Sequence, residues 1–127
     1  MKNIKTFENF NNQDIFDYIR TGDIESIKNY IDYGYDLNIK NIHGDSPLIH
    51  AARYNRRENV EILLDYGADE FILDNHDKSF YDCLNDENKE YFTQKYPTSV
   101  YNAIYHNYKK SFTEFVKDYN IKIKNNK

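Results

Sequence analysis

The chain has no tryptophan, one cysteine, two prolines and four glycines among 127 residues. One cysteine, Cys83, cannot close a disulfide within the chain, so a reducing, intracellular setting is expected. No apolar run approaches the roughly 20 residues of a membrane-spanning helix. The opening MKNIKTFENFNNQD lacks the apolar stretch of a secretory signal. Both absences point to a cytoplasmic or otherwise intracellular protein without membrane attachment. Catalytic signatures are missing too: there is no glycine-rich phosphate loop, no nucleophile elbow and no HExxH. His43, His50, His76 and His106 lack the close spacing of a zinc site. The nearest constellation, Asp74, His76 and Asp77 with His43 and Asp45, reads as polar turns. Cys83 falls at an inward, small-residue position, which suits an inert buried thiol better than a nucleophile. The expectation is a protein that is not an enzyme and needs no cofactor and no metal.

What the chain does have is charge, at 30% of residues, with a mean hydropathy of −0.93. The charge is divided unevenly. From His106 onward six lysines face only Glu114 and Asp118, a local +4, so the remainder carries −8 of the total −4. An acidic body repels phosphates, which argues against nucleic acid as a partner. The terminal IKIKNNK is read as a solvated end. Thirteen tyrosines and eight phenylalanines, beside abundant Asn, Ile and Lys, suggest the A+T-rich coding of a low-GC microbe, parasite or virus.

The most informative feature is a period. Gly34 and Gly67 are 33 residues apart, as are Asp36 and Asp69, Gly22 and Asn55, Ile27 and Val60, and Tyr30 and Leu63. Matched punctuation and matched apolar positions at a fixed interval mean stacked units, none able to bury its apolar face alone. Within the unit from Asn41 to Leu73, Ser46-Pro47 is a helix start: the hydroxyl satisfies a free N–H and proline suits the first helical position. Leu48, Ala51 and Ala52 then point inward, and Asn55 sits where the chain must reverse, a site where asparagine tolerates left-handed backbone. A second helix reads Val60, Ile62, Leu63 and Leu64 and stops at Gly67. The product is helix–turn–helix–hairpin, repeated.

These residues resemble the ankyrin repeat. The family pattern Gly-x-Thr-Pro-Leu-His-x-Ala-Ala, followed by Leu-Leu-x-x-Gly-Ala-Asp, is matched by Gly44, Ser46, Pro47, Leu48, Ala51, Ala52, Leu63, Leu64, Gly67, Ala68 and Asp69. IRTGDIESIKNYIDYGYDLN keeps the second helix and the hairpin of an earlier unit. A later one keeps the helix start at Ser79, with Phe80 in place of proline and Asp77 in place of glycine. Ile49 takes the family's usual histidine position, with His50 displaced by one, which puts the family's loop-to-loop hydrogen bonds at issue. The resemblance implies an all-α ankyrin-repeat solenoid of stacked helix–turn–helix units with hairpin loops, plus a C-terminal capping helix. Its expected divisions are an N-terminal arm (1–11), an ankyrin-repeat domain (12–96) and a C-terminal aromatic helix with a basic tail (97–127). Within 12–96 the expected units are an N-cap repeat (12–40), a full repeat (41–73) and a degenerate C-cap repeat (74–96).

Two extensions flank the units. Ile4, Phe7 and Phe10 are expected to pack the N-terminal arm onto the first unit, with a mobile arm over residues 1–11 as the alternative. After Pro97, Tyr101, Tyr105, Tyr108, Phe112, Phe115 and Tyr119 recur at steps of 4 and 3, an aromatic stripe on one helical face with Ile104 and Val116 beside it. The stripe is expected to cap the stack; a dimer seam or partner-docking face is the alternative.

Family resemblance also suggests where a partner would bind: on the concave side formed by hairpin tips and the exposed face of each first helix. Carried onto this sequence, the positions are Ile42, His43, Asp45, Arg53 and Tyr54 in the clear unit. Asn75, His76 and Lys78 correspond in the later unit, and Arg20 with Thr21 in the earlier one. These positions flank the fixed punctuation, so they vary without spoiling the packing, and Arg and Tyr dominate binding energy at interfaces. The expected function is a small intracellular module that binds one partner protein as an inhibitor, adaptor or host-directed factor. A monomer is expected; a self-assembling protein joined through the C-terminal helix is the alternative.

Overall fold

The computed structural model describes residues 11–107. Among them it holds seven helices and no strand. They are α1 (Asp14–Thr21), α2 (Ile24–Asp32), α3 (Pro47–Arg53), α4 (Arg57–Asp65), α5 (Phe80–Cys83), α6 (Asp86–Lys95) and α7 (Pro97–Asn107). The order pairs them as α1–α2, α3–α4 and α5–α6, with α7 at the end. Central α3 packs on α1, α4 and α5, and the outer helices α2 and α4 touch each other.

Helices α2, α3, α5 and α6 begin where a short polar side chain satisfies a free backbone N–H. Ser46 accepts from the Ile49 N–H at 3.2 Å, with Pro47 in the first turn of α3. Asp23 does the same for α2 and Asn85 for α6. In the third pair Ser79 replaces the missing proline with a reciprocal arrangement: its hydroxyl accepts from Asp82 N–H while the Asp82 carboxylate accepts from Ser79 N–H. Even so, α5 extends for only four residues.

The turn between the helices of a pair needs left-handed backbone. Gly22 has φ +72° and its counterpart Asn55 φ +50°, the substitution that the period leads one to expect. Asp77, at the position of Gly44, likewise takes φ +60°. Asn55 does more than turn: its Oδ1 accepts from the Asn85 N–H at 2.9 Å, tying the second pair to the third.

The core is a single row running through the stack. It holds Ile15, Phe16 and Ile19 from α1, Ile27 and Tyr30 from α2, and Leu48, Ile49, Ala51 and Ala52 from α3. Val60 and Leu63 from α4, then Phe80, Phe92, Val100 and Ala103, continue it. Ile62 and Leu64 lie only partly buried at the edge of this row. The alanines of α3 let its neighbours approach closely. Between pairs, polar side chains reach across: Asn59 is buried and donates to the Ile19 carbonyl at 3.1 Å, so the end of α1 is satisfied from the next unit. Arg57 makes the following step, donating to Asn88 Oδ1 at 2.8 Å while its guanidinium lies 4.0 Å over the Tyr91 ring.

Helix α7 closes the row, but through a different face from the aromatic one. Val100 and Ala103 are buried against α5 and α6 and Ile104 is partly buried, whereas Tyr101 remains 56% exposed. Small Ala103 admits the close approach that a tyrosine ring would block, and Tyr101 is turned away from the stack. Tyr101 and Tyr105 pack on each other instead, with ring centroids 4.1 Å apart. Ile4, Phe7 and Phe10 of the expected arm, and Tyr108, Phe112, Phe115, Val116 and Tyr119 of the stripe, lie outside the described residues.

Candidate functional site

The loops that leave α2 and α4 end in tight tips, and these tips build the concave side. In the second unit Asn41 Oδ1 accepts from the N–H groups of His43 and Asp45, at 2.9 and 3.0 Å. One period later Asp74 Oδ1 accepts from His76 and Lys78, at 2.8 and 2.9 Å. Short acceptors at the same place shape both tips alike. Gly44 lets the tips meet: with φ +80°, a Cβ there would fall 2.3 Å from Asn75 Oδ1. The Asn75 amide uses that space to donate to the His43 carbonyl at 3.1 Å. Further ties run from Lys40 Nζ to the Leu73 carbonyl and from Asp69 N–H to Asn38 Oδ1, at 3.3 and 2.9 Å. With Ile49 buried at the family's histidine position, these side chains join one loop to the next.

Between the tips and α3 lies an open groove of about 510 Å³, lined by Ile42, His43, Asp45, His50, Arg53, Tyr54, Asn75 and His76. Seven of the ten residues expected from sequence meet there. Arg20, Thr21 and Lys78 are exposed but do not line it. Arg20 instead pairs with Asp17 on its own helix at 3.3 Å. His50, absent from the sequence expectation, forms part of the lining. Its ring stands edge-on to Phe16, centroids 5.2 Å apart, and packs against Tyr54 at 5.0 Å.

The floor is a three-residue clamp. Arg53 donates to both oxygens of Asp45, from Nε at 2.8 Å and from Nη2 at 3.1 Å, and Nη2 also reaches Asp74 of the next tip. The Asp45 and Asp74 side chains are 4% and 1% exposed, that of Arg53 41%. Asp45 and Arg53 therefore differ from the sequence expectation of freely variable contact residues: one is buried as counterion, the other bridges two units. Interior carboxylates at this spacing need a shared cation. The titration behaviour agrees with the geometry. Hydrogen bonding to Asp45 raises the Arg53 pKa above its ordinary value. Burial alone would raise that of Asp74, but the N–H groups of Lys78 and His76 together with Arg53 outweigh it and hold the carboxyl below its usual range. Burial lowers the His50 pKa, against the opposing pull of Asp45 and a hydrogen bond with the Phe16 backbone. Burial pushes the Cys83 thiol up to about 11, which leaves little thiolate at neutral pH.

What remains accessible is uncharged or planar. Ile42 stands on its tip 91% exposed, and Tyr54 is 47% exposed on the wall. Such a surface can hold another molecule; it offers no nucleophile–base pair at bonding distance. Among the described residues no group of three or more His, Cys, Asp or Glu side chains is placed to hold a metal ion. Nor is any helix there long and apolar enough to cross a membrane.

Comparison with known proteins agrees with this architecture. The family model for ankyrin repeats, in three copies, matches residues 15–127. An ankyrin repeat protein of Rickettsia bellii (strain RML369-C) is 40% identical over 57 residues, covering 40% of this chain and 34% of that protein. The similarity thus spans about a third of the length of that curated relative. With the period, the helix pairs and a family match over most of its length, the chain belongs to the ankyrin repeat family.

Proposed function

We propose that the protein binds one partner protein through the groove between its hairpin tips and α3. Ankyrin repeats are general protein–protein interaction modules, and members of the family are typically not enzymes. The observation that carries the specific reading is Ile42. A large aliphatic side chain 91% exposed on a loop tip, beside a half-exposed tyrosine, contributes almost nothing to this fold. Isoleucine and tyrosine on the rim of a groove are anchors for a second surface. A role as inhibitor, adaptor or host-directed factor follows from occupying a partner's surface, and the proposed setting is intracellular and monomeric.

A photo-crosslinking amino acid at position 42, compared with one at Lys28 on α2, tests this in cells that produce the protein. The expected outcome is a discrete protein adduct from position 42 that Tyr54→Ala abolishes, with none from position 28. Adducts from position 28 alone would move the binding surface to the outer helices.

A second reading rests on the Tyr101–Tyr105 pair, turned away from the stack on α7. In that reading copies of the chain join through this helix. Light scattering across a concentration series decides it: a dimer that Tyr101→Asp converts to a monomer supports assembly.

A further inference from the structure

Resting on the proposal that the groove binds a protein, we infer that the partner segment enters it with an uncharged aromatic side chain. The argument begins with charge. Apart from histidines, the charged groups lining the groove are Asp45 and Arg53, already paired with each other, and Arg53 is also held by Asp74. An incoming lysine would have to displace Arg53 from carboxylates that are almost wholly buried. An incoming carboxylate would meet a clamp in which two carboxylates already share one guanidinium. A lysine thus gains a countercharge only by breaking a buried ion pair, and a carboxylate adds a third negative charge, so specificity by charge is disfavoured.

Shape supplies the positive half. The clamp fixes the Arg53 guanidinium by a two-point bond to Asp45, so its plane is set before any ligand arrives. A planar cation of this kind stacks on aromatic rings. Around it stand the flat rings of His50 and Tyr54, themselves packed edge to face, and the imidazoles of His43 and His76 on opposite tips. Such rings favour edge-to-face and offset contact with another ring. Ile42 at the mouth closes over the apolar body of whatever enters. The groove's volume of about 510 Å³ holds one large side chain with its flanking backbone and is too small for a helix laid lengthwise. A tryptophan, tyrosine or phenylalanine on a loop or extended segment meets all of these conditions. An aliphatic side chain forgoes the stacking, and a charged one meets no free countercharge.

The inference is testable without knowing the partner, using blocked amino acids as probes on the isotope-labelled full chain at neutral pH. N-acetyl-tryptophanamide and N-acetyl-tyrosinamide are expected to shift the NMR signals of the Ile42 methyls, the Tyr54 ring and the His50 imidazole, saturably in the millimolar range. N-acetyl-leucinamide, N-acetyl-lysinamide and N-acetyl-aspartamide are expected to bind at least about tenfold more weakly. Tyr54→Ala and Ile42→Ala, both at exposed positions, should each reduce the aromatic response several-fold. Equal or tighter binding of the leucine or charged probes in the groove overturns the aromatic anchor and leaves the groove as a binding surface. Aromatic probes that perturb no groove residue overturn the anchor too. If position 42 also gives no cross-linked partner, the reading of the groove as the binding face falls with it.

Discussion

Replacing Arg53 with methionine isolates the clamp from the packing around it. Methionine keeps most of the aliphatic stem but leaves Asp45 and Asp74 buried without a cation. Removing one partner of a fully buried pair typically costs about 3–5 kcal/mol. The Arg53 side chain is 41% exposed, so water screens part of the interaction and the expected loss at pH 7 falls to about 2–3 kcal/mol. With a urea m-value of about 1–3 kcal/mol/M for a small protein, that moves the midpoint down by roughly 0.7–3 M. The pH dependence carries the sharper test. Asp74 has a depressed pKa in the folded state, so its contribution is complete above the unfolded value, near pH 4. It is lost as pH falls through the folded value. In Arg53→Met the share that Arg53 supplies is gone while the N–H groups of Lys78 and His76 remain, so the gap between variant and parent should narrow below about pH 4. Urea titrations followed by far-UV circular dichroism at pH 7 and pH 3.5 measure both quantities. A variant within about 0.5 kcal/mol of the parent at pH 7, or a loss that does not change with pH, would refute the clamp as an electrostatic element.

Three further outcomes are expected. Asn59→Ala should cost about 0.5–1.5 kcal/mol in the same titration, because it removes the bond between units and leaves the Ile19 carbonyl with the Gly22 N–H alone. Asp77→Gly should stabilise by about 0.5–1 kcal/mol by relieving left-handed backbone at an exposed tip. Asn55→Gly, at an equally left-handed position, should bring no gain, since it also removes the bond to Asn85 N–H; thermal melts of the two variants side by side make the comparison. Finally, because burial lowers the His50 pKa, the folded state resists its protonation. Stability linked to neutral His50 is therefore complete above the unfolded value of about 6.5 and declines as pH falls through the lowered folded value. His50→Gln should flatten that slope between pH 7 and 5, and a slope unchanged in the variant would remove His50 from the account.

The period made most of the fold legible from sequence, because it acts through backbone. Gly22 and Asn55 announce one left-handed turn apiece, and Ser46-Pro47 announces a helix start, wherever the unit sits in the stack. The groove was legible as a set of positions, since Ile42, His43, Tyr54, Asn75 and His76 flank that punctuation and arrive together. The clamp was not. Arg53 occupies a variable, outward position, and only the approach of the next tip gives it Asp74, 21 residues away, as a second acceptor. Its signal was a pair of carboxylates, Asp45 directly before the helix start at Ser46 and Asp74 opening the tip that leads to Ser79. Helix α7 gives a related case. Helical spacing says which residues share a face but not which face a neighbour accepts, and at α7 the smallness of Ala103 decided it.

Because Arg53 holds the second tip to the third, the seam between two units and the floor of the groove are made of the same atoms. Anything that settles on that floor also bolts the seam. By linkage, a bound partner should raise the work needed to peel the last helices from the stack, and loosening them should weaken the partner's grip by the same factor. The groove then behaves as a latch, shut by its occupant.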